Sequence, residues 1–463
     1  MDKYKRLLNN TFVFAIAAFS SKVLIFLMMP FYTRVMPTGD FGLVDVLVQT
    51  CNLLIPFATI GINNAIIRFG LDRSTSKKGV FTIGLMTIFL GFLVMVLCDP
   101  LITKVTVLQG YTGYLYLFVL ASALHGLCSQ FARAIGYVRF YAIDGVFSTV
   151  LTIVLNILFL AVFRWGVKGY IWSTIITDFT CAALVFLLTR LHRFISFKKV
   201  TRALYYKMLA YCMPLIPNTV CTLIVSISDR YIITYMIGEA ANGIYAVSNK
   251  IPTILMIVAN IFAEAWQISA VTEEEGRERF FSRVCGVYQA LAFSVAAVLI
   301  VTAQLSTSLL AAPAYYEAWK YIPFLVMATT FSCIATFLSS IYMVEKKSVS
   351  TLLTTMLGAG INIVLNIWWI PAYGVYGAAF ATLLSYFVMF VVRALHTRKY
   401  VRIKWNIGRL VCNITAISVQ SAVMISQCPF YLLYAGALAL FVLVINLKDV
   451  AAVVLARLGK RKI

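Results

Sequence analysis

The chain has 463 residues, of which 62% are hydrophobic and 12% charged, and its mean hydropathy is +0.90. Soluble domains run nearer half apolar and a quarter charged, so a soluble globular enzyme is excluded. The net charge of +22 would point to nucleic acid in a soluble protein. Here the basic residues sit mostly in short loops between apolar stretches, so they read as signals of membrane orientation.

A bilayer core about 30 Å thick takes roughly 20 apolar residues per spanning helix. Stretches of that length recur along the whole chain and predict an all-α, polytopic membrane protein of about fourteen helices. The expected elements are α1 over 12–35, α2 over 41–67, α3 over 80–98, α4 over 114–135, α5 over 141–163 and α6 over 169–188. A basic connector, 190–207, leads to α7 over 208–237, α8 over 243–270, α9 over 284–304, α10 over 321–344, α11 over 348–370 and α12 over 376–392. A second basic connector, 393–409, leads to α13 over 410–426 and α14 over 430–447. Lys3, Lys5 and Arg6 precede an apolar run that resembles a signal peptide. The run before Ala15-Ile16-Ala17 is too short, so α1 is expected to remain as the first helix. The ten cysteines show neither CxxC nor Cys/His metal spacing. Cys51, Cys181 and Cys333 lie inside apolar runs, and no disulfide framework, metal or cofactor is indicated.

An even number of helices places both termini on one side. Of the 39 Lys and Arg residues, 31 fall on that side, 5 on the other, and Lys22, Arg230 and Lys250 within helices. This asymmetry predicts cytoplasmic termini.

Two halves of the chain repeat each other. Around α5 and α6 the sequence reads Ile153-Val154-Leu155-Asn156-Ile157, then Gly166-Val167-Lys168-Gly169, then Thr174 and Phe179. Around α11 and α12 it reads Ile363-Val364-Leu365-Asn366-Ile367, then Gly374-Val375-Tyr376-Gly377, then Thr382 and Phe387. One two-residue gap aligns them. A weaker echo pairs Met36 and Gly42 with Met236 and Gly243. The copies lie six helices apart, so they enter the membrane from the same side and form parallel repeats. The expected organisation is an N-terminal six-helix lobe (1–200), a C-terminal six-helix lobe (201–400), and α13–α14 with a basic tail (401–463). Two such bundles describe a transporter that alternates access to a site between them.

A charge at bilayer depth costs at least about 2.5–3.5 kcal/mol and therefore faces a cavity or a partner. The candidates lie mostly on α1, α2, α7 and α8. Lys22 is mid-α1. Arg230 and Lys250 are level on the α7–α8 hairpin, and Asp229 is placed to pair with Lys250. Asp45 lies near the outer end of α2, and Arg68 and Glu264 near the inner ends of α2 and α8. Lys22, Arg68, Arg230 and Lys250 are the candidate substrate-binding residues for an anionic headgroup. Asp45, Asp229 and Glu264 are candidate coupling or counter-ion residues. Asp144 and Asp178 read as structural or interfacial, and His125 on α4 as a lone packed imidazole. Glu273-Glu274-Glu275 with Arg277, Glu278 and Arg279 reads as a surface helix laced by i,i+4 pairs. Pro56, Pro214, Pro217 and Pro252 can bend α2, α7 and α8.

The chain resembles the polysaccharide (O-antigen-type) flippases of the multidrug/oligosaccharidyl-lipid/polysaccharide (MOP) exporter superfamily. The resemblance is carried by Asn10-Thr11, Ser21-Lys22 and Pro30-Phe31-Tyr32-Thr33-Arg34, by Phe41-Gly42, and by Gly61-Ile62 through Ala65-Ile66-Ile67-Arg68-Phe69. The Asn156…Gly166–Gly169 pattern and its second copy complete it. It implies a flippase and not an enzyme, translocating undecaprenyl-pyrophosphate-linked oligosaccharide across a bacterial cytoplasmic membrane. It implies a basic cavity lined by α1, α2, α7 and α8, a lipid-tail groove at α13–α14, and a monomer working in the bilayer beside polysaccharide assembly proteins, without nucleic acid. A multidrug exporter of the same superfamily is the alternative; such exporters commonly bind cationic drugs and call for an acidic cavity. A membrane-embedded glycan polymerase or glycosyltransferase would need a larger outer loop or a loop bearing catalytic carboxylates.

Overall fold

The computed structural model describes residue 24 and residues 26–72, 74–259, 277–345 and 347–459. Among these residues there is no strand, and eleven helices are long and apolar enough to cross a bilayer. Lipid offers no water to unpaired backbone groups, so a spanning segment must close its hydrogen bonds within itself. Every predicted helix has at least a partial counterpart. α1 is described as Met29–Val35, and α8 as Glu239–Ser248 with helix again over 252–259; the remainder of both lies outside the described residues. α3 is Lys77–Leu97, α4 Thr112–Ala134 and α6 Gly166–Leu188. α9 is Arg277–Val301, α10 Ile322–Val344, α11 Ser348–Tyr373 and α12 Val375–His396. α13 is Ile407–Ser426 and α14 Tyr431–Gly459. Several starts carry side-chain caps: Ser76 accepts from the Gly79 amide, Thr201 from Leu204 and Asn406 from Arg409.

Three expected helices are interrupted. α2 is Thr38–Thr59 followed by Ile62–Leu71. Its break falls at Ile60 and Gly61, both in the left-handed region, shortly after Pro56. α7 is Arg202–Cys212 followed by Leu215–Met236, parted at Met213 and Pro214. α8 turns at 249–251, immediately before Pro252. In the latter two the proline lacks the amide that would continue the ladder. Parts of both basic connectors are helical: residues 202–207 open α7, and Arg393–His396 close α12, which the sequence ended four residues too early. The surface helix expected around Arg277–Arg279 is, over its described residues, the opening of α9.

The chain divides into two compact units, Met1–Ile227 and Ser228–Ile463. In the first, a core of Ile62, Ile66, Phe81, Leu127 and Phe131 joins α2, α3 and α4. In the second, Ile233, Tyr245, Leu325, Ile370 and Ala378 pack together. Each basic connector folds back on the third helix of its own unit. The Ser196 amide donates to Thr82 Oγ1 on α3, and the Lys404 amide to Ser282 Oγ on α9, both at 2.9 Å. Each connector thus meets the end of that helix to which the charge sorting assigned it.

The repeated Gly-x-x-Gly is a turn between antiparallel helices. Gly166 and Gly374 both have positive φ, at 55° and 61°, which glycine adopts without a Cβ penalty. Gly377 then lets α12 approach the end of α11; a Cβ there would lie 2.2 Å from the Trp369 carbonyl oxygen. The two extra residues of the first copy are also accounted for. α5, Val138–Asn156, continues as a π-helical turn, Ile157–Val162, and Arg164 follows with φ 55°. Six residues of this turn and the non-helical 163–165 separate Asn156 from Gly166, whereas seven helical residues separate Asn366 from Gly374, so the extra length lies at 163–165.

Gly377→Ala is therefore expected to destabilise the second unit by about 1–3 kcal/mol, the usual effect of overpacking. Gly360→Ala, with open space around its Cβ, should be neutral or stabilising. Thermal unfolding of the two variants in detergent checks the contrast.

Candidate functional site

In each unit a fully buried asparagine on the fifth helix donates to the first helix of its half, and the network around it takes in the sixth. In the first unit Asn156 of α5 donates to the Tyr32 hydroxyl of α1 at 3.0 Å and accepts from Ser173 of α6 at 2.7 Å. Tyr32 meets Tyr170 edge to face at 5.5 Å. All of these groups are neutral. In the second unit Asn366 of α11 donates to the carboxylate of Asp229 on α7. The other carboxylate oxygen accepts from Thr382 of α12 at 2.6 Å and from Tyr245 of α8 at 2.7 Å. Asn362, one turn below Asn366, accepts from Ser228 at 2.7 Å and from Asn366 at 3.1 Å. Asp229 is 3% exposed. A carboxylate so buried needs several donors to remain there, and neutral groups of three helices, α8, α11 and α12, supply them.

The other expected residues fall as follows. Lys22 and Glu264 lie outside the described residues. In the first unit Arg68 is exposed on the last turn of Ile62–Leu71, and Asp45 is buried in Thr38–Thr59. In the second unit Arg230 is 9% exposed on α7 beside Asp229, and Lys250 is half-buried at the turn that interrupts α8. Asp45, Arg230 and Lys250 all engage partners within the chain.

Two charged sites escaped the sequence. His125 is not alone: its Nδ1 lies 3.0 Å from Asp178 of α6 and its Nε2 3.0 Å from Asp144 of α5. Arg393 is 4% exposed, and its guanidinium donates to Thr354 and Thr355 of α11 and to the Ala335 carbonyl of α10. In the sequence, the partners of His125 stand 19 and 53 positions away on other helices, and no local pattern joins them.

A family model described as polysaccharide biosynthesis protein matches residues 7–267. The chain belongs to this family. Among solved structures it resembles the lipid II flippase MurJ in an inward closed conformation, with a TM-score of 0.65 and 13% identity over 94% of this chain and 98% of that one. It resembles an inward-facing multidrug resistance MATE transporter of the MOP superfamily, with a TM-score of 0.64 and 14% identity over 83% and 97%. A MOP superfamily transporter from Pyrococcus furiosus, for which a reversed polarity of the binding pocket suggests a different function, gives a TM-score of 0.56 at 14% identity over 84% and 95%. These likenesses establish the fold. An uncharacterized membrane protein of Methanocaldococcus jannaschii is 23% identical over 455 residues, 85% of each chain. This polysaccharide biosynthesis family member thus has the fold of MOP superfamily transporters. All seven residues singled out on α1, α2, α7 and α8 lie inside the family match.

Asn366→Leu should leave the buried Asp229 without one of its donors and cost about 1–3 kcal/mol or more, since the acceptor is charged. Asn156→Leu disturbs only neutral groups and should cost less. A larger fall in melting temperature for Asn366→Leu than for Asn156→Leu checks this, and adding Asp229→Asn to Asn366→Leu should recover part of the loss.

Proposed function

We propose that this family member is a flippase for undecaprenyl-pyrophosphate-linked oligosaccharide, working by alternating access in a bacterial cytoplasmic membrane with both termini cytoplasmic. The observation that carries this reading is the family match over 7–267, which takes in all four helices bearing the candidate basic residues. In the proposed mechanism Lys22, Arg68, Arg230 and Lys250 bind the pyrophosphate. A diphosphate is a compact multiple anion, and Lys and Arg are its natural partners in a low-dielectric site. The glycan follows through hydrated space while the polyprenyl chain stays in lipid. Asp45, Asp229 and Glu264 act as counter-ions or coupling groups for these cations. The sign of the charge separates this reading from a multidrug exporter, because a cationic drug would be repelled by the same residues.

Arg230→Ala and Lys22→Ala, at wild-type expression and correct membrane insertion, should each abolish export of the glycan. Retained surface polysaccharide in both variants would sink the assignment of the pyrophosphate site. Reporter tags at residues 1 and 463 should both be cytoplasmic; one tag on the opposite face would refute the orientation.

A further inference from the structure

The His125 cluster lies well inside the first unit. At 1.5 Å per residue, His125, Asp144 and Asp178 stand roughly 9–15 Å from the nearer ends of α4, α5 and α6. Their side chains are 17%, 5% and 14% exposed. The hydrogen bonds fix how many protons the cluster must hold. Ser129 Oγ donates to Asp144 Oδ2 at 2.8 Å, and Ser122 Oγ donates to Asp178 Oδ2, so both acids serve as acceptors. Each ring nitrogen of His125 also faces a carboxylate oxygen at 3.0 Å. A neutral imidazole has one N–H and one lone pair. The two contacts therefore require one proton more than a neutral histidine between two carboxylates can supply.

We propose that His125, Asp144 and Asp178 form a proton-binding site, in which an imidazolium bridges the two carboxylates and one exchangeable proton decides whether α4 is tied to both α5 and α6. With the proton bound, the cluster carries one net negative charge and every contact is a charge-assisted hydrogen bond. Without it, a buried carboxylate and a half-buried one lack a counter-charge, and a nitrogen lone pair points at a carboxylate oxygen. That arrangement repels, so α4 separates from one of its two neighbours. The titratable and charged groups facing the imidazole are Asp144 from α5 and Asp178 from α6. The thiol of Cys181 on α6 lies within 4.8 Å of the ring and of Asp144. Cys128, on α4 itself, faces Asp144. α2 and α3 also pack on α4, and among their described residues no titratable group acts on the ring. Both ring nitrogens are already engaged, which leaves neither for a metal ion. The coupling of this proton to transport rests on the proposed flippase function; the binding of the proton does not.

The test has two arms. Full-length protein labelled with [15N]histidine is placed in lipid nanodiscs, and the signal of His125 is identified by its loss in His125→Gln. At pH 7.5 both ring nitrogens of His125 should carry protons, whereas Asp144→Asn or Asp178→Asn should leave one nitrogen bare. A bare nitrogen in the wild type at that pH, unaffected by either substitution, would overturn the proton site. The second arm uses proteoliposomes with a pH dye in the lumen and undecaprenyl pyrophosphate bearing a fluorescent oligosaccharide. Wild-type protein should move protons together with the lipid, and His125→Gln, checked for folding by its melting temperature, should lose the proton flux. Lipid movement without proton flux in the wild type overturns the coupling while leaving the flippase function standing. Absence of lipid movement in the wild type overturns the flippase function, and the nitrogen signals still decide the proton site.

Discussion

A polar group inside hydrocarbon has no water to fall back on, so its partner must come from the chain itself. That constraint organises what is seen here at every scale. It makes the backbone helical. It turns many buried hydroxyls onto the preceding turn, as Thr50 does to Val46 and Thr330 to Val326. It also gathers the groups that cannot be satisfied locally into a few shared hubs. Asn156, Asp229, His125 and Arg393 each sit in such a hub, and each hub spans at least three helices. The hubs thus fix which helices neighbour one another, which apolar packing alone does weakly in a lipid-like environment.

The two halves use the same hubs with different chemistry. α4 and α10 are each 23 residues long, and laid start on start they put His125 over Ala335. α5 and α11 laid start on start put Asp144 over Thr354 and Asn156 over Asn366. Ala335 and Thr354 are two of the groups that hold Arg393. The place filled by an imidazole and two carboxylates in the first unit is therefore filled by a guanidinium among neutral acceptors in the second. The asparagine hub diverges in the opposite sense, with neutral Tyr32 in the first unit and the anionic Asp229 in the second.

How much of this could be read beforehand follows from the range of each signal. Helices were legible because hydropathy is local, and the breaks at Pro214 and Pro252 because proline acts on its own turn. The break at Ile60–Gly61 was not, since only its position after Pro56 hinted at it. The two-residue gap between the repeats was visible, but that it falls at 163–165, after a π-helical turn, depends on both flanking helices keeping their register. Asn156 and Asn366 stood out as repeated letters, yet what Asn366 holds was hidden. Asp229 draws its donors from α8, α11 and α12, and no local pattern joins them. Arg393 was hidden because the sequence ended α12 four residues early, which turns a buried side chain into a loop charge.

Duplication also separates two kinds of residue that composition cannot. Where both copies keep the same letter, the scaffold explains it: Gly166 and Gly374 need positive φ, Gly377 needs room against the Trp369 carbonyl, and each asparagine donates from the fifth helix to the first of its half. A scaffold requirement applies equally to both copies, so it cannot account for a charge found in only one. Asp229, His125, Asp144 and Arg393 are all of that second kind, and each is largely or fully removed from solvent despite a desolvation cost that apolar residues of similar volume would not incur. A buried charge that the fold does not need twice is better explained by what one half must do and the other need not. Under the proposed flippase function the cargo joins one anionic group to a long apolar tail, and its two ends call for different surroundings, which is a physical reason for halves of unequal charge.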